Sequence, residues 1–285
     1  MRIDAHQHFW RPARGDYGWL TPELTTLYRD FEPDLLRPLL DEAGIETTIL
    51  VQAAPTEPET EYLLEIARRT PWIAGVVGWT DLAAADAPAR VERLANTRTL
   101  VGLRPMLQDI PDLNWILRPE LGAGISAMAA HELVFDALVR ETQLPVILEL
   151  ATRFPSLAIV LDHAGKPAIN GNVGKDWREA IVALADCPNV SVKLSGLLTE
   201  GPPGLHYDTL APIVEALLEN FDCDRILWGS DWPVLTTVAT YHGWVAITEK
   251  LIRGLDAKAR DAIWGGTAAR VYGLQEAVNV NGDDE

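Results

Sequence analysis

Two histidines near the start of the chain are the residues best suited to chemistry. His6 and His8 end a short apolar run, in the order His6-Gln7-His8. Because successive side chains of a strand alternate between its faces, both imidazoles are expected on one face, together with Asp4. Two imidazoles on one face can bind a metal ion or a polar substrate. The other interpretation is a pair of half-buried histidines bonded to their neighbours, and their position at a strand end favours function.

A third histidine and an aspartate follow two later apolar runs. His163 comes directly after Asp162, and strand alternation predicts that the imidazole points inward and the Asp162 carboxylate outward, toward the helices. Asp231 lies in Gly229-Ser230-Asp231-Trp232-Pro233. Its carboxylate can bind a metal or take a proton from water as a general base, and the alternative is a helix N-cap. Function is favoured for Asp231, whereas the two interpretations of His163 are evenly balanced.

Two cations and a glutamine lie within or beside apolar runs. A buried cation needs a partner, so Arg104 and Lys193 are each either paired with a carboxylate or directed into a substrate pocket. Asp136 is the candidate partner for one of them. Gln52 can donate a hydrogen bond to a substrate oxygen or join two strands. The sequence leaves these choices open.

Tryptophan is abundant, with 10 copies. Trp10, Trp79 and Trp232 lie just beyond predicted strand ends, where a flat indole can stack on a sugar-like ring. Other tryptophans fall on helices or their margins, where packing explains them: Trp72, Trp115, Trp177, Trp244 and Trp264.

The elements that carry these residues alternate between two hydrophobic periods. Short runs rich in Val, Ile and Leu predict strands, and the stretches between them have the spacing of amphipathic helices. Two further helices are predicted at about 238–254 and 256–272. The predicted strands are Arg2–His6, Thr47–Gln52, Ile73–Trp79, Leu100–Arg104, Leu133–Val139, Ala158–His163, Val190–Leu194 and Arg225–Trp228.

Eight strand–helix units predict an α/β protein with one (β/α)₈ TIM-barrel domain over residues 1–275, followed by a polar, acidic tail at 276–285. An open, doubly wound sheet is the alternative, and the lack of a glycine-rich phosphate-binding motif counts against it. Catalytic side chains of such barrels come from the C-terminal ends of the strands. Closure of the barrel would bring Asp231 close to His6 and His8.

Composition limits the partners. The 285 residues include 24 Lys and Arg against 41 Asp and Glu, and a formal charge of -17 repels nucleic acids and anionic lipid surfaces. Cys187 and Cys223 form no disulfide or zinc-binding pattern. No apolar leader follows Met1, and no run reaches the ~18–20 residues of a membrane span. We expect a cytoplasmic protein that acts on a small molecule; its oligomeric state is not indicated.

Several segments together resemble the amidohydrolase superfamily, and more narrowly its group of sugar lactonases, which hydrolyse lactones such as L-fuconolactone and L-rhamnonolactone. The resemblance covers nearly the whole chain and implies a barrel whose site lies at the C-terminal mouth. By position, it implies that His6, His8, His163 and Asp231 are site residues. The segments are Ile3–Trp10, Val51–Thr56, Gly102–Leu107, Leu161–His163, Lys193–Gly196, Gly229–Pro233 and Gly265–Tyr272.

The resemblance leaves the metal requirement open. Many metal-dependent relatives carry a ligating histidine at the end of the fifth strand, whereas Leu133–Val139 contains none. Some lactonases of the superfamily work without a divalent ion. If a zinc ion binds, the expected ligands are His6, His8 and Asp231, with Asp136 or His163 as further candidates.

The resemblance implies a hydrolase that opens a sugar-acid lactone, of the L-fucono- or L-rhamnono-lactone type, to the aldonate. Asp231 would be the general base, and the three site histidines would polarise the carbonyl. The expected substrate-binding residues are Gln52, Arg104, Lys193, Trp10, Trp79 and Trp232.

Three alternatives stay open. They are a metal-dependent decarboxylase on the same scaffold, a hydrolase of an anionic muconolactone-type lactone, and a barrel that binds small molecules without catalysis. The net charge favours a neutral lactone. A local cationic mouth would weaken that argument, and the residues that could form it are Arg11, Arg14, Arg104, Lys166 and Lys193.

Overall fold

Eight parallel strands, each hydrogen-bonded to the next along the chain, form the centre of the protein. The structure is a computed structural model and describes residues 1–169, 173–202 and 204–274. The strands are β1 Ile3–Gln7, β2 Thr47–Val51, β3 Ile73–Gly78, β4 Leu100–Leu103, β5 Val134–Ala137, β6 Ile159–Leu161, β7 Val190–Leu194 and β8 Ile226–Trp228. Every predicted strand is present, and most are shorter than predicted by one to three residues.

The sheet returns to its start just beyond the ends of β8 and β1. The backbone N–H of His8 donates to the carbonyl of Trp232 at 2.8 Å, and the N–H of Asp231 donates to the carbonyl of His6 at 2.8 Å. A parallel bridge joins Gln7 to Trp232. This nearly closed barrel confirms the predicted (β/α)₈ fold and is incompatible with the open sheet.

Helices cover the outside of the barrel, and the longer ones turn an apolar stripe toward the strands. In α2, Thr56 caps the N-terminus by accepting from the Glu59 N–H at 3.2 Å, and Leu63 and Ile66 face inward. No helix in the described part of the chain is long and apolar enough to span a membrane. The helices are α1 Pro33–Ala43, α2 Glu57–Arg69, α3 Ala87–Ala95, α4 Gly122–Ala130, α5 Leu144–Arg153, α6 Lys175–Ala185, α7 Tyr207–Asn220, α8 Tyr241–Leu251, α9 Ala257–Asp261 and α10 Thr267–Val271.

The helix predicted at 256–272 is interrupted. A π-helical turn, Ala262–Gly266, separates α9 from α10. At Gly265 the chain passes so close to the start of β1 that an added Cβ would lie 2.4 Å from the Met1 carbonyl oxygen. The break therefore depends on a long-range contact that helical periodicity does not report. The tail predicted at 276–285 lies outside the described residues.

The barrel interior changes from apolar to charged along the strands. Ile3, Val134 and Tyr272 belong to a buried apolar cluster inside the barrel. Two residues further along β5, on the same face as Val134, lies the buried carboxylate of Asp136. Polar side chains are therefore concentrated toward the C-terminal ends of the strands, where the site lies.

Candidate active site

The ends of β1 and β8 bring two histidines and a carboxylate together. His6 Nε2 lies 3.2 Å from His8 Nε2, and Asp231 Oδ1 lies 3.3 Å from His8 Nε2 and 3.8 Å from His6 Nε2. Asp231 has a φ of +59°, in the left-handed region that aspartate tolerates better than most residues. This turn, tied to His6 by the backbone bond described above, aims the carboxylate at the histidines.

His8 is held in one tautomer. Its Nδ1 lies 2.8 Å from the Val51 carbonyl oxygen, which can only accept, so Nδ1 carries the hydrogen. The Nε2 atom is left with a lone pair, and it faces the Asp231 carboxylate. The His8 Nε2 atom and the Asp231 carboxylate are therefore both hydrogen-bond acceptors. They can lie this close only if a proton or a metal cation sits between them.

The third histidine reaches the same place from β6. His163 and Ala164 have φ of +54° and +53° immediately after that strand. The turn places the His163 ring 4.5 Å from the His6 ring and its Nδ1 2.9 Å from the Ser195 hydroxyl. A Cβ at Gly196 would lie 2.3 Å from His163 Nδ1, so the glycine makes room for the imidazole.

The left-handed turn also overturns one prediction, since Asp162 points into the barrel and not toward the helices. Its Oδ1 lies 3.3 Å from His6 Nδ1, and its Oδ2 accepts from Arg104 at 3.2 Å. Strand alternation stops at Leu161, where β6 ends, so it does not extend to the residues that follow. Asp162 and His163 therefore both serve the site.

A buried ion network lies beneath the histidines. Lys193 Nζ pairs with Asp136, lies 3.0 Å from Asp162 Oδ1 and is 3.3 Å from His6 Nδ1. Tyr272 donates its hydroxyl hydrogen to Asp136 at 2.9 Å. The predicted pairing of Asp136 with one of the two cations is thus confirmed for Lys193. Arg104 pairs with Asp162 instead, and also donates to the Gln52 carbonyl.

Two of the site histidines, His6 and His163, and the Asp231 carboxylate have pKa values shifted downward. Burial lowers the pKa of His163, and lowers that of His6 well below its usual value, so both imidazoles are neutral near pH 7. Burial alone would raise the pKa of Asp231, but His163, His8 and His6 outweigh it and hold that pKa below its usual range. The site therefore combines an ionised carboxylate at Asp231 with neutral imidazoles at His6 and His163.

A pocket of about 240 Å³ opens above these groups. His8, Arg104, His163 and Asp231 form part of its wall. Loop residues that the sequence did not indicate also line it: Trp19, Gln108, Asp109, Thr199 and Glu200. These loops lack hydrophobic periodicity, so no pattern in the sequence could have identified them.

Other expected binding residues lie behind the pocket wall or beside it. Gln52 is fully buried and donates to the Arg104 carbonyl at 2.6 Å, so it joins β2 to β4. Trp10 lines the pocket but is 0% exposed, and Trp232 is 2% exposed, so neither offers an open face for the predicted stacking. Trp79 lines a neighbouring cleft.

The five cations considered for a cationic mouth all have carboxylate partners. Lys166 and Glu200, which both line the pocket, lie 2.7 Å apart. Arg11 pairs with Glu32 and Arg14 with Asp16; Arg104 and Lys193 are held as described above. These pairs offset the positive charge of all five residues and so weaken the case for a cationic mouth.

The donor atoms fit a zinc ion. Imidazole nitrogens and a carboxylate oxygen are its usual ligands, and the facing acceptors of His8 and Asp231 call for a positive charge. Donor atoms of His6, His163 and Asp231 all lie within 4.8 Å of one another. Asp136, which also came into question as a ligand, is instead engaged by Lys193 and Tyr272.

The chain is similar to known amidohydrolases over its full length. A family model described as amidohydrolase matches residues 3–274. The chain is 46% identical to an L-fucono-1,5-lactonase of Burkholderia ambifaria, covering 95% of each chain. It is 40% identical to an L-fucono-1,5-lactonase of Burkholderia multivorans, covering 97% of each. A crystal structure of a Burkholderia multivorans amidohydrolase with bound zinc superposes with a TM-score of 0.92 at 39% identity, over 96% of this chain and 100% of the other.

Proposed function

The chain belongs to the amidohydrolase family, and on that premise we propose that it hydrolyses L-fucono-1,5-lactone or a close neutral relative to the free aldonate. The observation that carries the proposal is the full-length similarity to two L-fucono-1,5-lactonases. The geometry agrees with it, because the ionised carboxylate of Asp231 and the neutral imidazole of His163 border a pocket of about 240 Å³ that can hold a small ring.

In the proposed reaction, water attacks the lactone carbonyl carbon while Asp231 takes a proton from it. The low pKa of Asp231 keeps the carboxylate ready to accept but makes it a weak base, so the proton must move as the new C–O bond forms. The acyl–oxygen bond of the ring then breaks, and Asp231 returns its proton to the leaving oxygen. Arg104 and His163 line the pocket as possible donors to the carbonyl oxygen, with His6 and Asp162 behind them.

A zinc ion would be held by His6, His8 and Asp231, with His163 as a further candidate. When bound, it would supply Lewis-acid polarisation of the carbonyl. The Val51 carbonyl bonded to His8 and the Asp162 carboxylate beside His6 are the supporting groups that metal-ligating histidines usually have.

The amount of zinc that the protein retains is expected to depend on the proposed ligands His6, His8 and Asp231. Protein dialysed against zinc and then against metal-free buffer should retain close to one equivalent by elemental analysis, and His8→Ala should retain far less. His242→Ala, at a 40% exposed histidine paired with Glu42, is the matched control and should retain as much as the parent. Equal zinc in all three proteins would remove His8 from the ligand set.

The pocket favours a neutral substrate over an anionic one. The two cations among the described lining residues, Arg104 and Lys166, are paired with Asp162 and Glu200, and Asp109 and Asp231 add negative charge. We expect kcat/KM for a dicarboxylate lactone to be about 10- to 100-fold below that for a neutral sugar lactone. Glu200→Gln removes the carboxylate partner of Lys166 and should reduce the difference in kcat/KM between the two lactones. A preference for the dianion would favour the anionic-lactone alternative. A difference unchanged by Glu200→Gln would show that the Lys166–Glu200 pair does not set the preference.

The site histidines should matter far more than surface histidines. His163→Ala and His6→Ala remove an imidazole from a buried site, and each is expected to lower kcat by about 100-fold or more. His206→Ala removes an exposed imidazole and His242→Ala a half-buried one, and both variants should leave kcat close to the parent value. Steady-state kinetics on one neutral lactone decides this, and similar losses in all four proteins would undo the site assignment.

A further inference from the structure

A second cleft of about 560 Å³ adjoins the active pocket at the mouth of the barrel. Trp19, Met106 and Asp109 line both cavities, so the two share a wall. On its far side the cleft is lined by Trp79 and Trp115, which do not border the active pocket. The proposed hydrolysis does not use this cleft.

Three indoles line the cleft, and the ring of one of them, Trp19, is held by a hydrogen bond. Trp19 is 37% exposed, yet its Nε1 donates to the Ala53 carbonyl at 2.7 Å and its ring packs edge-on against Trp10 at 5.3 Å. The backbone N–H of Trp79 donates to the Thr60 hydroxyl at 2.8 Å. Trp115 is half-buried and was expected to serve packing alone. Partly exposed indoles, which have few rotatable bonds, lose little entropy when a flat apolar face stacks on them.

Carboxylates supply the charged part of the lining. Asp81 and Asp109 border the cleft, and Asp16 does so while paired with Arg14 at 2.6 Å. None of the described residues that line the cleft is a lysine or arginine. Carboxylates accept hydrogen bonds from hydroxyl groups and repel anions. Indole faces beside carboxylates suit a ring with an apolar C–H face and a rim of hydroxyl donors.

We propose that this cleft is a second sugar-binding subsite, which takes an uncharged pyranose ring. The ring has two possible sources: a free sugar, or the second residue of a disaccharide lactone whose lactone ring lies in the active pocket. The shared wall of Trp19 and Met106 allows the second source. Binding of the pyranose itself does not depend on the proposed hydrolysis, so the two proposals can fail separately.

Saturation-transfer difference NMR with methyl β-D-glucopyranoside and methyl α-L-fucopyranoside tests the subsite on the full-length protein. We expect saturable binding that Trp115→Leu weakens about tenfold, the loss of one stacking contact. Trp72→Leu removes an indole that precedes β3 and lies outside the cleft, and should leave binding unchanged. Methyl β-D-glucuronopyranoside should bind more weakly than the neutral glycosides, and Asp81→Asn should reduce that difference.

The absence of saturable binding would overturn the proposal, as would binding that Trp115→Leu leaves intact. If Trp115→Leu does not fold by circular dichroism, Trp79→Leu provides the same comparison. Kinetics with a disaccharide lactone separate the two sources. A KM that rises in Trp115→Leu for the disaccharide lactone, but not for a monosaccharide lactone, identifies a linked ring. An unchanged KM for both identifies a free sugar.

Discussion

Asp231→Asn is expected to lower kcat by about 10²- to 10⁴-fold at saturating lactone, the range for loss of a positioned general base. The amide has the size of the carboxylate but cannot take the proton of the attacking water. The backbone should tolerate the change, because asparagine adopts the left-handed conformation found at φ +59° as readily as aspartate. Circular dichroism and the melting temperature should therefore stay close to those of the parent.

Asp109→Asn is the matched control for that experiment. Asp109 lines the same pocket but is exposed and does not contact the histidines. Its replacement should change KM more than kcat. If Asp231→Asn turned over lactone at a near-normal rate, Asp231 could not be the base, and the Asp162 carboxylate beside His6 would be the next candidate.

Lys193→Met is expected to cost about 3–5 kcal/mol of unfolding free energy, the range for removing one partner of a buried ion pair. Lys193 is fully buried and lies against both Asp136 and Asp162. Burial already raises the pKa of Asp136 to about 6, against the opposing effect of Lys193. Without the ammonium group, two carboxylates would remain in the barrel interior with too little positive charge to offset their burial.

Chemical denaturation near pH 7 measures this loss. Lys175→Met provides the control, because Lys175 pairs with Glu179 on the surface of α6 with 83% of its side chain exposed. A surface pair contributes little, so its removal should leave the denaturation midpoint almost unchanged. Equal midpoints for Lys193→Met and Lys175→Met would show that the buried network does not stabilise the fold.

The barrel, and the approach of the histidines and Asp231 to one another, could be predicted because local patterns encode them. Eight apolar runs correspond to the eight strands, since strands covered on both faces are apolar throughout. The predicted approach of Asp231 to His6 followed from barrel closure alone, and the 2.8 Å backbone bond between them confirms it. These inferences needed only strand order and side-chain alternation.

The details that could not be predicted depend on contacts between residues distant in sequence, or on turns that have no hydrophobic periodicity. Asp162 faces inward because a left-handed turn at His163 ends the alternation. The last helix is broken because Gly265 lies against Met1. Glu200 reaches the pocket from an irregular loop and neutralises Lys166. Hydrophobic periodicity carries no information about any of these.

The buried network joins stability to the proposed chemistry. His6 is contacted at Nδ1 by Asp162 and Lys193, and at Nε2 by Arg104 and His8. Every one of these contacts is buried, so the orientation of the imidazole is set by the same ion pairs that hold the barrel interior together. Changes in that network are therefore expected to alter both the unfolding free energy and kcat.

Acid release from L-fucono-1,5-lactone, followed with a pH indicator in weak buffer, tests the proposed function most directly. The parent protein is expected to release acid far faster than the spontaneous reaction, and Asp231→Asn at the same concentration should lie close to the spontaneous rate. A parent rate no greater than that of Asp231→Asn, for this lactone and for L-rhamnono-1,5-lactone, would contradict the assignment as a neutral sugar lactonase.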